Sequence, residues 1–124
     1  VWSLTNTITN VTAYVRCKAT GADPAEQAVI IWRLGATEIE SAAFSVSRVA
    51  FTNYSDSRDT DPDGNAWTVA NVDALQIAWR ASTLAATETI TGSEMWADVT
   101  YTSGVSIPVM MHHYSQTRRA RIAD

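Results

Sequence analysis

The stretch Val11-Thr12-Ala13-Tyr14-Val15-Arg16-Cys17 decides the fold class. Val11, Ala13, Val15 and Cys17 share one parity, and Thr12, Tyr14 and Arg16 share the other. A strand buried on one face imposes this period of two. Gly21-Ala22-Asp23-Pro24 then supplies the turn chemistry that ends it. Ala28 to Leu34 is apolar on both parities until Arg33, consistent with a central strand, and Gly35-Ala36 permits a tight hairpin into Thr37 to Glu40.

Working outward, the next segments keep the strand signal but interrupt it twice. Phe44 and Val46 share one parity while Val49 and Phe51 share the other, so a bulge or break is expected near Ser47-Arg48. Asp59 to Asn65 reads as a polar loop. Val69, Val72 and Leu75 recur every third residue, which fits one or two helical turns with Thr68 as N-cap. Alternation resumes with Leu75, Ile77, Trp79 and Ala81, with Gln76, Arg80 and Ser82 opposite. Leu84 to Gly92 reads as a Thr- and Ala-rich connection. Met95, Ala97, Val99 and Tyr101 form another alternating set, Ser103-Gly104 a turn, and Val105, Ile107, Val109 and Met111 a last strand. Pro108 pushes that strand toward a sheet edge or a bulge. About eight short strands and one short helical turn predict an all-β fold: an antiparallel β-sandwich, jelly-roll-like, with no internal repeat of solenoid or propeller length.

A chain of 124 residues, 46% apolar, fits one domain able to bury a core. The expected organisation is a single sandwich over residues 1–115 and a basic C-terminal arm over residues 116–124. The longest apolar run, Ala28 to Trp32, is too short to span a bilayer, so no membrane partner is expected. No signal-peptide pattern opens the chain, and Val1 at its start fits a processed chain or part of a longer one. A net charge of −4 argues against nucleic acid as a partner. The charge is uneven: Asp56, Asp59, Asp61 and Asp63 crowd one loop, and Arg118, Arg119 and Arg121 crowd the C-terminus. Such an end is either solvated or docks on an acidic neighbour, for instance another copy of the chain. Cys17, the one cysteine, precludes an internal disulfide and reads as a small buried apolar residue.

The run Asp61-Pro62-Asp63-Gly64-Asn65-Ala66-Trp67-Thr68, followed by Val72-Asp73-Ala74-Leu75-Gln76-Ile77, resembles a pattern of tailed-bacteriophage structural proteins: a Pro/Gly turn (here Pro-Asp-Gly), Trp-Thr, a short helical turn and a strand. The resemblance spans roughly Val11 to Tyr101. It implies a virion component, either a capsid decoration (cement) protein or a tail or fibre domain, with no catalytic signature. Gly64 would supply the permissive turn, and Trp67 would plug the sandwich end, a position where truncation to Ala costs about 3–5 kcal/mol.

Several residues invite chemical readings. Asp59, Asp61 and Asp63, with Gly64 at the sixth place, match the opening of an EF-hand calcium loop. The twelfth place is Ala70, so the bidentate carboxylate is missing, and a solvated acidic turn competes with a calcium loop of another kind. Trp96 shares a parity with Glu94 and Asp98, opposite Met95, Ala97 and Val99. An outward Trp between two carboxylates suits a protein interface or a sugar ring, or packs under a loop. His112-His113 point to opposite faces of a strand and do not chelate one ion together. Asn10-Val11-Thr12 and Asn53-Tyr54-Ser55 match the glycosylation acceptor pattern, which carries no meaning in a bacterial host. Ser106 and Ser115 lack a nucleophile-elbow context, no phosphate loop is present, and nothing singles out a carboxylate pair, so no enzyme is expected.

The function these readings favour is a non-enzymatic virion structural protein that contacts copies of itself and other virion proteins. Here Trp96, with Glu94 and Asp98, and the arm with Arg118, Arg119 and Arg121 are the candidate contacts. The alternatives are a carbohydrate-binding, lectin-like module holding a glycan at Trp96, and a bacterial extracellular or filament subunit.

Overall fold

The computed structural model describes residues 7–20, 26–84 and 88–102, together with the backbone of residues 114–118 and 121–122. In chain order the elements are β1 (Thr7–Ala19), β2 (Gln27–Leu34), β3 (Thr37–Glu40), β4 (Phe44–Ser45), β5 (Thr52–Arg58), α1 (Val69–Ala74), β6 (Gln76–Thr83), β7 (Ile90–Thr102), β8 (Tyr114–Arg118) and β9 (Arg121–Ile122). They form a β-sandwich. A four-stranded sheet has the order β5-β1-β7-β8, and a five-stranded sheet has the order β3-β2-β6-β9 with β4 also on β2. All described pairings are antiparallel except β6 with β9.

The core follows the sequence parity. Val11, Ala13, Val15 and Cys17 are fully buried on β1, and Met95, Ala97, Val99 and Tyr101 meet them from β7. Ala28, Ile30 and Trp32 face them from β2, and Ile77 from β6. Removing this apolar surface from water is the main favourable term, about 25 cal/mol per Å². Val29 and Ala78 are buried as well but lie outside that cluster, so β2 carries apolar residues on both parities, as expected of a central strand.

The phase change between Phe44 and Phe51 is a change of sheet. β4 pairs with β2, whereas β5 pairs with β1. Val46 N–H donates to the Glu26 carbonyl (3.1 Å), and one residue later the Ser47 carbonyl accepts from Ala19 N–H (2.9 Å). The chain therefore crosses between layers at the expected break. Val46 is buried there, but Val49 is 89% exposed and Phe51 37% exposed, so the second apolar pair faces solvent.

The Asp61-to-Leu75 segment closes one end of the sandwich. Gly64 turns the chain at φ +87°, a conformation open to glycine at no steric cost. Trp67 is buried, tilts against Trp32 at 6.3 Å between ring centroids, and donates Nε1–H to the Arg58 carbonyl (3.0 Å). Thr68 caps α1 through Asn71 N–H (3.0 Å), as the spacing predicts. The connection expected through Gly92 is shorter, because strand backbone begins at Ile90 and pairs with Ala19. The 115/116 boundary falls inside β8, with residues 116–118 hydrogen-bonded to β7 and 121–122 beside β6. The Ser103-Gly104 turn, the strand around Pro108 and His112-His113 lie outside the described residues.

Candidate functional site

The outer face of the four-stranded sheet carries the residues that parity left out of the core. Tyr14 on β1 sits directly opposite Trp96 on β7, and their rings stack at 5.0 Å between centroids, 8° from parallel. Trp96 shares its face with Glu94 and Asp98, as the alternation requires. It is half-buried rather than fully outward, because one ring face is spent on Tyr14. Arg16 lies opposite Glu94, and Thr12 lies opposite Asp98. Toward β5 the face becomes a hydrogen-bonded polar strip. Thr12 and Ser57 hydroxyls both donate to Asn10 Oδ1 (2.9 and 3.0 Å), and Arg16 Nη1 donates to Asn53 Oδ1 (3.3 Å). The face therefore combines a stacked aromatic pair, charged residues of both signs and a hydrogen-bonded polar margin.

The three carboxylates of the acidic loop do not act together. Asp61 is 2% exposed, and its Oδ1 accepts from the backbone N–H groups of Asp63 and Asn65, both at 2.9 Å. Its Oδ2 accepts from Asn71 Nδ2 (2.7 Å), so this carboxylate ties the Gly64 turn to α1. Asp63 instead accepts from the Thr37 hydroxyl, and Asp59 from Asn10 Nδ2 (2.9 Å). Among the described residues no three His, Cys, Asp or Glu side chains gather in a metal-holding group.

The arginines of the C-terminal segment separate in the same way. Arg118 ends β8 with its backbone opposite Ala97, Arg121 starts β9 opposite Gln76, and Arg119 lies outside the described residues. Cys17 is fully buried, and desolvation pushes its thiol up from 9.0 to about 11, which keeps it protonated and unreactive at neutral pH. No helix among the described residues is long and apolar enough to cross a membrane.

Three further features were not read from the sequence. Trp32 Nε1–H donates to Asp56 Oδ2 (2.8 Å), and Arg58 lies over the Trp32 ring and 3.6 Å from the same carboxylate, a polar layer inside the β5 edge. The parity of Tyr54, Asp56 and Arg58 was visible, but only the register with Val15, Ala13 and Val11 turns it inward. Glu26 is 1% exposed, and neither carboxyl oxygen finds a hydrogen-bond partner among the described residues. Ser47 holds the exposed loop, its Oγ accepting from Val49 and Ala50 N–H (3.2 and 3.4 Å) and its N–H donating to Tyr54 Oη (2.7 Å).

Comparison with known proteins gives no match to a family model, to a curated protein or to a solved structure.

Proposed function

We propose that this chain is a non-enzymatic virion structural domain of a tailed phage, a capsid decoration or tail-associated protein that works through protein–protein contacts in a repeated assembly. The observation that carries the contact role is the Tyr14–Trp96 stack at the centre of an outer sheet face, with Arg16, Glu94 and Asp98 around it. A pre-stacked aromatic pair presents contact area at little entropic cost, and buried Trp residues of this kind dominate interface energies. The virion reading rests on the resemblance of the run from Asp61 to Ile77 to tailed-phage structural proteins; in this run Asp61 ties the turn to the capped helix and Trp67 bonds to the end of β5. Copies of the chain and other virion proteins are the partners, and the virion is the location.

The experiment is mass spectrometry of purified virions, followed by the occupancy of Trp96→Ala in them. The chain should be present in stoichiometric amount, and the variant should lose about 2 kcal/mol or more of attachment while remaining folded. Absence from virions refutes the assignment. Glycan binding by the wild type that Trp96→Ala abolishes would transfer the site to the lectin-like reading.

A further inference from the structure

β5 is the longest sheet edge among the described strands, and a side chain engages its backbone at its last residue, where Trp67 Nε1–H donates to the Arg58 carbonyl. Its seven residues pair with β1 without a register shift, whereas the other edges are β8 with five residues, β3 with four, and β4 and β9 with two each. It contains no proline and no bulge, the usual means of protecting an edge. Inward charges are another such means, but Asp56 accepts from Trp32 and forms an ion pair with Arg58 at 3.6 Å, although the buried Arg58 Nε makes no hydrogen bond among the described residues. A new strand therefore need not leave the two charges unpaired.

We propose that two copies of this chain pair β5 to β5, antiparallel about a two-fold axis at Ser55, so that two four-stranded sheets become one. The sequence Thr52-Asn53-Tyr54-Ser55-Asp56-Ser57-Arg58 is complementary to itself in this register. Asn53 falls opposite Ser57 of the second copy, Tyr54 opposite Asp56, and Thr52 opposite Arg58, with no like charges directly opposed.

The flanks of the strand agree with the same register. Before β5 lie Arg48, the exposed Val49 and Phe51, with the Arg16 guanidinium carbon 6.0 Å from the Phe51 ring centre. After β5 come the exposed carboxylates of Asp59 and Asp63. Antiparallel pairing brings the basic, apolar flank of one copy alongside the acidic flank of the other, and the two-fold axis repeats the match. The apolar side chains that the loop holds out then gain a neighbour. Ser47 and Tyr54 have already fixed that loop, so little ordering cost is left for association.

This pairing does not depend on the virion reading, because purified protein alone tests it. The test combines sedimentation of the wild type with oxidation of Ser55→Cys and Ser57→Cys. At the axis the two Cα atoms of residue 55 are about 4.5–5.5 Å apart, within disulfide range. Those of residue 57 lie four positions out of register, roughly 13 Å apart along the strands. Buried Cys17 does not compete. We expect a reversible wild-type dimer, a covalent dimer from Ser55→Cys and none from Ser57→Cys, with circular dichroism showing both variants folded. A wild type that stays monomeric into the hundred-micromolar range overturns the proposal, as does equal cross-linking of the two variants.

Discussion

Gly92→Ala tests how the two sheets meet. Trp79 lies opposite Ile30 on the inner face of the five-stranded sheet and packs against Gly92 of β7. A Cβ at residue 92 would stand 2.6 Å from Trp79 Cζ2 and 2.8 Å from both Cε2 and Nε1. All three atoms belong to the rigid indole, so relief requires moving the whole ring or the strand. The backbone of β7 has little slack there. Its register against β1 shifts between Arg16 and Cys17, and Ser93 Oγ donates to the Arg16 carbonyl (3.3 Å). In an open strand Gly→Ala is favourable by about 0.5–1 kcal/mol. Overpacking reverses the sign, and we expect a net loss of about 1–3 kcal/mol. Urea unfolding followed by circular dichroism measures it, and repeating the substitution in Trp79→Leu closes a double-mutant cycle. With the indole gone, Gly92→Ala should be close to neutral, giving a coupling of about 1 kcal/mol or more. Equal cost in both backgrounds, or stabilisation by Gly92→Ala alone, would refute the packing argument.

Other substitutions probe the remaining features. Asp61→Ala strands three donors and should cost about 2–4 kcal/mol in the same unfolding assay. Because Asp59, Asp61 and Asp63 are spent separately, millimolar calcium should leave the wild-type melting midpoint unchanged, and a calcium-dependent rise contradicts that reading. Glu26→Met removes a buried carboxyl that meets no donor among the described residues and should stabilise by about 1–3 kcal/mol, whereas destabilisation would reveal a partner for it. Cys17 makes stability fall as pH rises from about 9 to about 11: the unfolded chain loses its thiol proton across that window while the fold retains it. Cys17→Ala should flatten that limb of the pH profile.

The two layers and most of the core were legible because parity is local. Val11 to Cys17 and Met95 to Tyr101 each announce a half-buried strand without reference to anything distant. Pairing is not local. Tyr14 and Trp96 were separately outward by parity, but only the register between β1 and β7 makes them one stacked unit. The same holds for Trp79 and Gly92, whose contact crosses from one sheet to the other. The acidic loop shows the same limit, since carboxylates at alternating positions do not announce their separate partners. The turn at Gly64 sends Asp61 inward to backbone donors and leaves Asp59 and Asp63 to Asn10 and Thr37. The phase change at Phe44 to Phe51 was visible as a break, but parity alone does not tell a bulge from a passage between sheets.

The central place of β1 also governs how quickly the chain reaches this state. Val11 has Arg58 as its neighbour on one side and Val99 on the other, so the first of the described strands in chain order is among the last to be enclosed. Long loops must close before these pairings return any free energy, and chains dominated by such distant pairings fold in milliseconds to seconds rather than microseconds. The hairpin of β2 and β3, turned at Gly35, needs no such wait and is the natural early structure. Until β7 is made, the apolar stripe of β1 has only β5 to pair with. Synthesis speed and chaperone access in the interval between β1 and β7 therefore bear on the yield of this fold more than its size suggests.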